Sequence, residues 1–368
     1  MKTSVLAVVL SLVATAVQAQ VAIRQEGLKI VPEKPAVGAV FRFGVVENIS
    51  PKSTTCLCIS PDGKELAVGT PEGLVKVDLA GNKYLAGKDA NVIAVTYTPS
   101  GEIAASFRVK KSRTLQWFEA SKGIWGPMTQ ETVEITEIHF LEKGPAYLIG
   151  TTWEEAWEKV YSLAVSPSAL HLAVDQYRAA FLCETSTGKV ISKKEYLQKE
   201  DRRQWSDITF SPDGKKLIFG GGTEMDLASQ EMKLLGNLAV YDADGTVIKF
   251  TGYRPNHNFP TWYNYLFKGE EKLYSTGPMS GGPQNLRVTG DIVAWSHFNY
   301  VFILEAKRKK PREIQTGPDW FENGVEGMVM TPDQKTIFTA GRDGSVKAWD
   351  VQNGKFVRSI LEGAKKSE

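Results

Sequence analysis

Apolar and polar side chains alternate most clearly between Val325 and Ile360, and the pattern there can be followed back along the whole chain. An alternation through Met328 and Met330 stops at Pro332-Asp333. A β-branched run covers Thr336–Ala340, a second turn falls at Arg342-Asp343-Gly344, and another alternating run ends at Trp349-Asp350. Asn353-Gly354 then precedes a last run, Phe356–Ile360. Alternating and β-branched runs suit a pleated surface, and Gly, Asn and Asp accept turn dihedrals, so the stretch predicts four short strands joined by three tight turns. One such meander cannot cover both of its own faces. It needs copies beside it.

Two markers show that copies exist. The first is a turn between two inner strands: Ser60-Pro61-Asp62-Gly63-Lys64, Thr98-Pro99-Ser100-Gly101-Glu102, Ser166-Pro167-Ser168-Ala169, Ser211-Pro212-Asp213-Gly214-Lys215 and Thr331-Pro332-Asp333-Gln334-Lys335. Proline presets the first dihedral, the small polar residue caps the turn, and glycine accepts a positive φ. Ala169 and Gln334 replace that glycine, so their two turns are expected to differ slightly. The second marker is an apolar residue followed by an acid where a third strand should end: Val77-Asp78, Phe118-Glu119, Cys183-Glu184, Tyr241-Asp242, Leu304-Glu305 and Trp349-Asp350.

A plain repeat of this kind takes roughly 40–45 residues, and three of the gaps between those acids are longer. The pair Ile135–Leu141 and Ala146–Thr152, followed by Trp153-Glu154-Glu155-Ala156-Trp157, reads as a reduced repeat. Thr223–Gly236 reads as an insertion able to form a short amphipathic helix, and Gly277–Gly290 as a loop. Seven repeats then begin near Thr54, Asn91, Glu134, Tyr161, Ser206, Tyr263 and Glu326; six with a large insertion is the alternative. Ala39–Val46 alternates like a strand and competes with Phe356–Ile360 to be the strand that closes the last repeat.

The run Ala340-Gly341-Arg342-Asp343-Gly344-Ser345-Val346-Lys347-Ala348-Trp349-Asp350 resembles the WD repeat of β-propellers, although the Gly-His dipeptide that usually precedes such a repeat is missing. The resemblance implies an all-β propeller, most simply of seven four-stranded blades. It also implies a rigid platform for other macromolecules with no chemistry of its own. The competing class is a propeller enzyme, a hydrolase or lyase, with a site at the mouth of the central channel.

The rest of the sequence bounds the setting. Met1-Lys2, an apolar run from Val5 to Ala14 and the small residues of Val17-Gln18-Ala19 describe a signal peptide over residues 1–19, and hence a periplasmic or secreted protein. Residues 20–38 read as an extended leader, 39–362 as the propeller and 363–368 as a tail. Later stretches are too short and too polar to span a bilayer. With 44 basic and 42 acidic residues the net charge is +2, which argues against nucleic acid as the partner. Cys56 and Cys58 lie two apart on one face of a strand-like run and Cys183 in another repeat, so all three read as small buried residues rather than as a disulfide framework. The run Lys307-Arg308-Lys309-Lys310-Pro311-Arg312 falls in an outer turn and reads first as a solvated rim.

No His-Glu-x-x-His, Gly-x-Ser-x-Gly, Cys-x-x-Cys, phosphate loop or calcium loop occurs in the sequence, and no metal or cofactor is expected. His139, His171 and His297 alternate with apolar neighbours and read as structural. The aromatic and cationic residues concentrate instead in three connections: Arg203 and Trp205; Arg254, His257, Phe259 and Trp262; Trp320 and Phe321. Exposed Trp, Phe and Arg dominate protein interfaces. If each connection leads into an innermost strand, and the three blades are consecutive, these residues form one patch for a protein partner on a monomeric scaffold. The competing outcome is that the indoles fold inward and lock the blades.

Overall fold

In a computed structural model, the described residues are 28–30, 41–46, 49–119, 124–141, 146–148, 160–176, 179–195, 208–220, 222–253, 261–277, 279–280, 282–319 and 323–364. The chain divides into two compact units, Met1–Ala36 with Lys110–Ile135 and Val37–Val109 with Thr136–Glu368. In the first, Leu28–Ile30 pairs antiparallel with Leu115–Trp117, and Arg113 meets Glu131 at 2.6 Å. The second contains the propeller ring.

Seven antiparallel sheets of four main strands make up the fold, each from strands consecutive in sequence. Blade 1 is Cys56–Ile59, Glu65–Thr70, Gly73–Asp78 and Lys83–Ala86. Blade 2 is Asn91–Tyr97, Ile103–Glu119, Ile124–Phe140 and Ala146–Leu148. Blade 3 is Val160–Val165, His171–Gln176, Ala179–Glu184 and Val190–Glu195. Blade 4 is Thr209–Phe210, Lys216–Phe219, Thr223–Asp226 and Met232–Leu234. Blade 5 is Leu238–Tyr241, Val247–Tyr253, Thr261–Lys268 and Glu271–Ser275. Blade 6 is Gln284–Thr289, Ile292–His297, Tyr300–Glu305 and Arg312–Gln315. Blade 7 is Val325–Met330, Thr336–Gly341, Val346–Asp350 and Phe356–Leu361. The first strands touch in sequence order, and Val325–Met330 meets Cys56–Ile59 to complete the circle.

The number seven agrees with the sequence reading, but two boundaries move. The expected reduced repeat at Glu134 does not exist: blade 2 has middle strands of 17 residues each, so Ile135–Phe140 is the end of its third strand and Phe118-Glu119 closes its second. The blade starting at Leu238 is hidden in the sequence because Tyr241-Asp242, followed by Gly245, carries the acid and glycine expected of an outer turn. Here that pair joins first and second strands, with Gly245 N donating to Asp242 O at 2.9 Å. Tyr263 therefore lies in the third strand of blade 5. Thr223–Gly236 holds the outer strands of blade 4 rather than a helix. Gly277–Gly290 contains Met279–Ser280 and the first strand of blade 6.

Nor does Ala39–Val46 close the ring. Gly44–Val45 pairs with Leu85 and Tyr84 on the outer edge of blade 1, and blade 7 keeps its own fourth strand, Phe356–Leu361. The ends of the ring are held by side chains and by a clasp. Leu57, Leu66, Val68, Val75 and Val77 of blade 1 pack with Val329, Phe338, Ala340, Val346, Ala348 and Leu361 of blade 7. Large aliphatic side chains buried this fully are worth roughly 1.5–3 kcal/mol each relative to exposure. Across the same seam Thr54 Oγ1 donates to Gly341 O at 2.8 Å, and Ala364 N to Pro51 O at 2.9 Å. Gly344, at φ +82°, lies so close to Pro51 that a Cβ would collide with its carbonyl oxygen.

The five proline turns are built alike. In blade 1, Ser60 Oγ donates to Asp62 Oδ1 at 2.7 Å and accepts from Glu65 N at 2.9 Å. Thr331 does the same in blade 7, at 2.6 Å to Asp333 Oδ1 and 3.0 Å from Thr336 N. The expectation that the turns of Ala169 and Gln334 would differ fails. They take φ +58° and +62°, close to +73° at Gly63 and +69° at Gly214. The hydrogen bonds outweigh the left-handed backbone cost, about 1–2 kcal/mol for a residue with a Cβ.

That strain is removable. Ala169→Gly should raise unfolding stability by about 0.5–1 kcal/mol after allowing for the extra entropy of glycine in the unfolded chain. Urea unfolding should show a higher midpoint at unchanged slope. An equal or lower midpoint would mean that the turn carries no strain.

Candidate functional site

The antiparallel meander gives the ring two unlike ends. Turns joining first to second and third to fourth strands lie at one end. Turns joining second to third strands, and the connections between blades, lie at the other. The first strands surround a channel of about 760 Å³.

At the end where the first strands begin, Glu326 of blade 7 accepts from its neighbour Arg342, at 2.7 Å from Nε and 2.6 Å from Nη2. Nearby Asn285, at φ +49°, donates through Nδ2 to Ser296 Oγ at 3.0 Å and Val325 O at 3.1 Å, tying blade 6 to blade 7. Asn91 also lines this part of the channel, and its Oδ1 is buried without a hydrogen-bond partner. Toward the other end Arg287 reaches across blade 7, donating to Met328 O at 2.8 Å. Tyr241 donates to Glu224 Oε1 at 2.8 Å; burial, and then that carboxylate, push its phenol upward. The lining thus mixes amide and hydroxyl groups with aliphatic side chains, and its charges are held in pairs or on carbonyls.

The described histidines do not reach this channel. His139 sits in the third strand of blade 2, fully buried, 2.8 Å from Glu137 and stacked on Phe41 at 4.5 Å. His171 and His297 belong to second strands, and His297 packs on Phe298 at 4.3 Å. Among the described residues no three His, Cys, Asp or Glu side chains come together as a metal-ligand set.

Of the residues expected to form the aromatic patch, Arg203, Trp205, Arg254, His257, Phe259, Trp320 and Phe321 lie outside the described residues, as does Trp153–Trp157. Trp262 is placed by its backbone alone, in the third strand of blade 5 opposite Met279. The flanking strands correct one expectation. The connection with Arg254 and His257 joins second and third strands of blade 5 and does not lead into a first strand. The other two lead into blades 4 and 7, so the three do not precede consecutive blades. All three nevertheless join strands at the end that carries Glu326 and Arg342. One is pinned at its base: Asn323 N donates to Asp319 O at 2.8 Å, and Asn323 Nδ2 to Asp343 Oδ2 at 2.9 Å. Nothing in the sequence announces the Glu326–Arg342 pair, because the two residues meet across a sheet with no periodic spacing between them.

Residues 311–350 match the family model described as WD domain, G-beta repeat. Among solved structures, a chain described as Kuenenia stuttgartiensis hydrazine synthase superposes with a TM-score of 0.53 at 15% identity, covering 83% of this chain and 97% of that one. At that identity the likeness is one of fold. No curated protein matches the sequence.

Two thiols line the channel, each partly covered rather than buried as the sequence suggests, while Cys183 is buried, and loss of solvation governs the chemistry of the two. It pushes Cys56 up to about 12 and raises Cys58 as well. At pH 8 a thiol near 12 is ionised in roughly one molecule in ten thousand, against about a quarter for a free cysteine. Iodoacetamide at pH 8 should therefore leave Cys56 and Cys58 unmodified in the folded protein and label both in urea, as read by peptide mass. Fast labelling of the folded protein would contradict this account of the channel wall.

Proposed function

We propose that this seven-bladed β-propeller, which carries a WD repeat in its C-terminal part, is a non-catalytic, monomeric scaffold. It binds a protein partner through the connections at the Glu326–Arg342 end of the ring. The observation that carries the reading is topological. The three stretches richest in exposed-type Trp, Phe and Arg all join strands at one end of a rigid ring, and the base of one is fixed by Asn323. A ring closed by its own packing loses little entropy on docking, which favours recognition of a macromolecule. The signal-peptide pattern of residues 1–19 supports a periplasmic or secreted setting.

A second reading, small-molecule chemistry in the channel, is favoured by the unpartnered Asn91 Oδ1, which lines the same channel as Glu326 and Arg342. The neighbour named hydrazine synthase is an enzyme by its description, but 15% identity transfers no activity.

Comparative pull-down from an envelope extract separates the two. A partner captured by the wild-type chain should be lost with Trp205→Ala/Trp262→Ala/Trp320→Ala and retained with Glu326→Gln, provided that both variants unfold at wild-type temperatures. Retention of the partner by the triple tryptophan variant would sink the scaffold reading at this end of the ring.

A further inference from the structure

The opposite end of the ring carries a feature that the scaffold reading leaves unused. The turn between the third and fourth strands of blade 6 exposes Lys307, Arg308, Lys309 and Lys310, and Arg312 follows at the start of the fourth strand. From Glu305 to Glu313 there are five basic residues against two acidic ones. This surplus of three exceeds the +2 of the entire chain. Without these nine residues the chain has 39 basic and 40 acidic residues, a net charge of −1.

The local pairing sharpens that imbalance. Glu305 Oε1 is taken up by Arg308 Nε at 3.2 Å and by Arg312 Nη2 at 3.1 Å. Among the described residues Lys307, Lys309 and Lys310 make no ion pair, and neither does Lys355 in the neighbouring turn of blade 7. The two turns are packed together: Arg312 Nη1 donates to Val351 O, and a Cβ on Gly354 would lie 3.3 Å from Ile314 Cγ1. Of the acids nearby, Asp350 is engaged by Asn353 N at 2.8 Å and Asp333 by Thr331 Oγ1 at 2.6 Å, and the exposed Glu313 is already counted against the surplus.

Next to the lysines stand two apolar side chains that the fold does not cover. Phe356 and Val357, directly after Lys355, are 53% and 55% exposed, although Phe356 touches Trp349 edge-on at 5.6 Å. Cations flanking exposed aromatic and aliphatic groups match a negatively charged surface with an apolar layer beneath it. The choice of cation narrows the partner. The two arginines, which could make directional forked bonds, are tied to Glu305, and what projects is lysine. Lysine is depleted at protein interfaces but serves well as a hydrated point charge against a diffuse field.

We infer that the outer corner of blades 6 and 7 is a docking surface for anionic lipid bilayers, with Lys307, Lys309, Lys310 and Lys355 supplying the attraction and Phe356 and Val357 shallow insertion. Bound so, the ring turns its Glu326–Arg342 end away from the bilayer. The inference does not depend on the partner-binding reading, since it uses the other end of the ring.

Cosedimentation with phosphatidylcholine vesicles, with and without phosphatidylglycerol, tests it. The wild-type chain should bind only the anionic vesicles and be released when salt shortens the Debye length to about 3–5 Å. Lys307→Gln/Lys309→Gln/Lys310→Gln should weaken partitioning about a hundredfold, because each lysine near such a surface is worth about fivefold. These lysines are exposed and unpaired, so the variant should unfold at the wild-type temperature. Phe356→Ser/Val357→Ser should weaken binding without abolishing its salt dependence. The inference is overturned by no binding to anionic vesicles, by equal binding to neutral ones, or by unchanged binding of the triple lysine variant. Capture on soluble polyglutamate without vesicle binding would also overturn it, in favour of an acidic protein partner.

Discussion

Leu66, Ala67 and Val68 follow one another in a single strand, point to alternate faces of the sheet, and are all fully buried. Leu66 and Val68 pack toward blade 7, and Ala67 packs toward blade 2. Blade 3 repeats the arrangement, with Leu172 and Val174 facing blade 2 and Ala173 facing blade 4. A four-stranded sheet that is apolar on both faces needs cover on both. A row of such sheets always leaves two faces bare, and only a closed row leaves none. The other features of the chain follow from this: the clasp at residues 50–54, the fixed positions of the turns, and the two unlike ends.

The proline turns contribute to closure as well as to each hairpin. A Cβ on Gly63 of blade 1 would press against Pro332 of blade 7, and one on Gly214 of blade 4 would touch Pro167 of blade 3. Gln334 of blade 7 lies over Gly290 of blade 6 in the same way. These contacts join inner turns of blades 1 and 7, 3 and 4, and 6 and 7 at one end of the ring. The fourth turn position adopts positive φ even where the sequence has alanine or glutamine, because the Ser or Thr hydroxyl at the head of the turn holds the backbone there.

Much of the fold is legible in the sequence itself. The Ser/Thr-Pro turns mark blades 1, 2, 3, 4 and 7 because each of their residues has a local hydrogen-bonding task. Blades 5 and 6 are harder to delimit because their inner turns use other chemistry: Asp242-Ala243-Asp244-Gly245 mimics an outer turn, and Gly290-Asp291 lacks the proline. Blade 2 is hard to delimit for another reason: its second strand runs 17 residues, Ile103–Glu119, straight through the five consecutive polar residues Lys110–Thr114, where the pattern suggests a break. The candidate site is legible as composition only. Sequence order shows which connections carry Trp and Arg but not which strands they join, and the contact of Glu326 with Arg342 depends on strand pairing. The cationic turn of blade 6 is visible as a charge run, whereas its proximity to Phe356 depends on how blades 6 and 7 pack.

Closure of the ring by blade 7 is the claim on which the rest stands, and calorimetry of the full chain beside a chain ending at Gly324 tests it most directly. Removing blade 7 bares the faces of Leu57, Leu66 and Val68 on one side and of Ala294, Val301 and Ile303 on the other. The account predicts a cooperative endotherm for the full chain and none for the shortened one. A sharp endotherm for the shortened chain, close to the full-length temperature, would show that six blades suffice and would contradict the account.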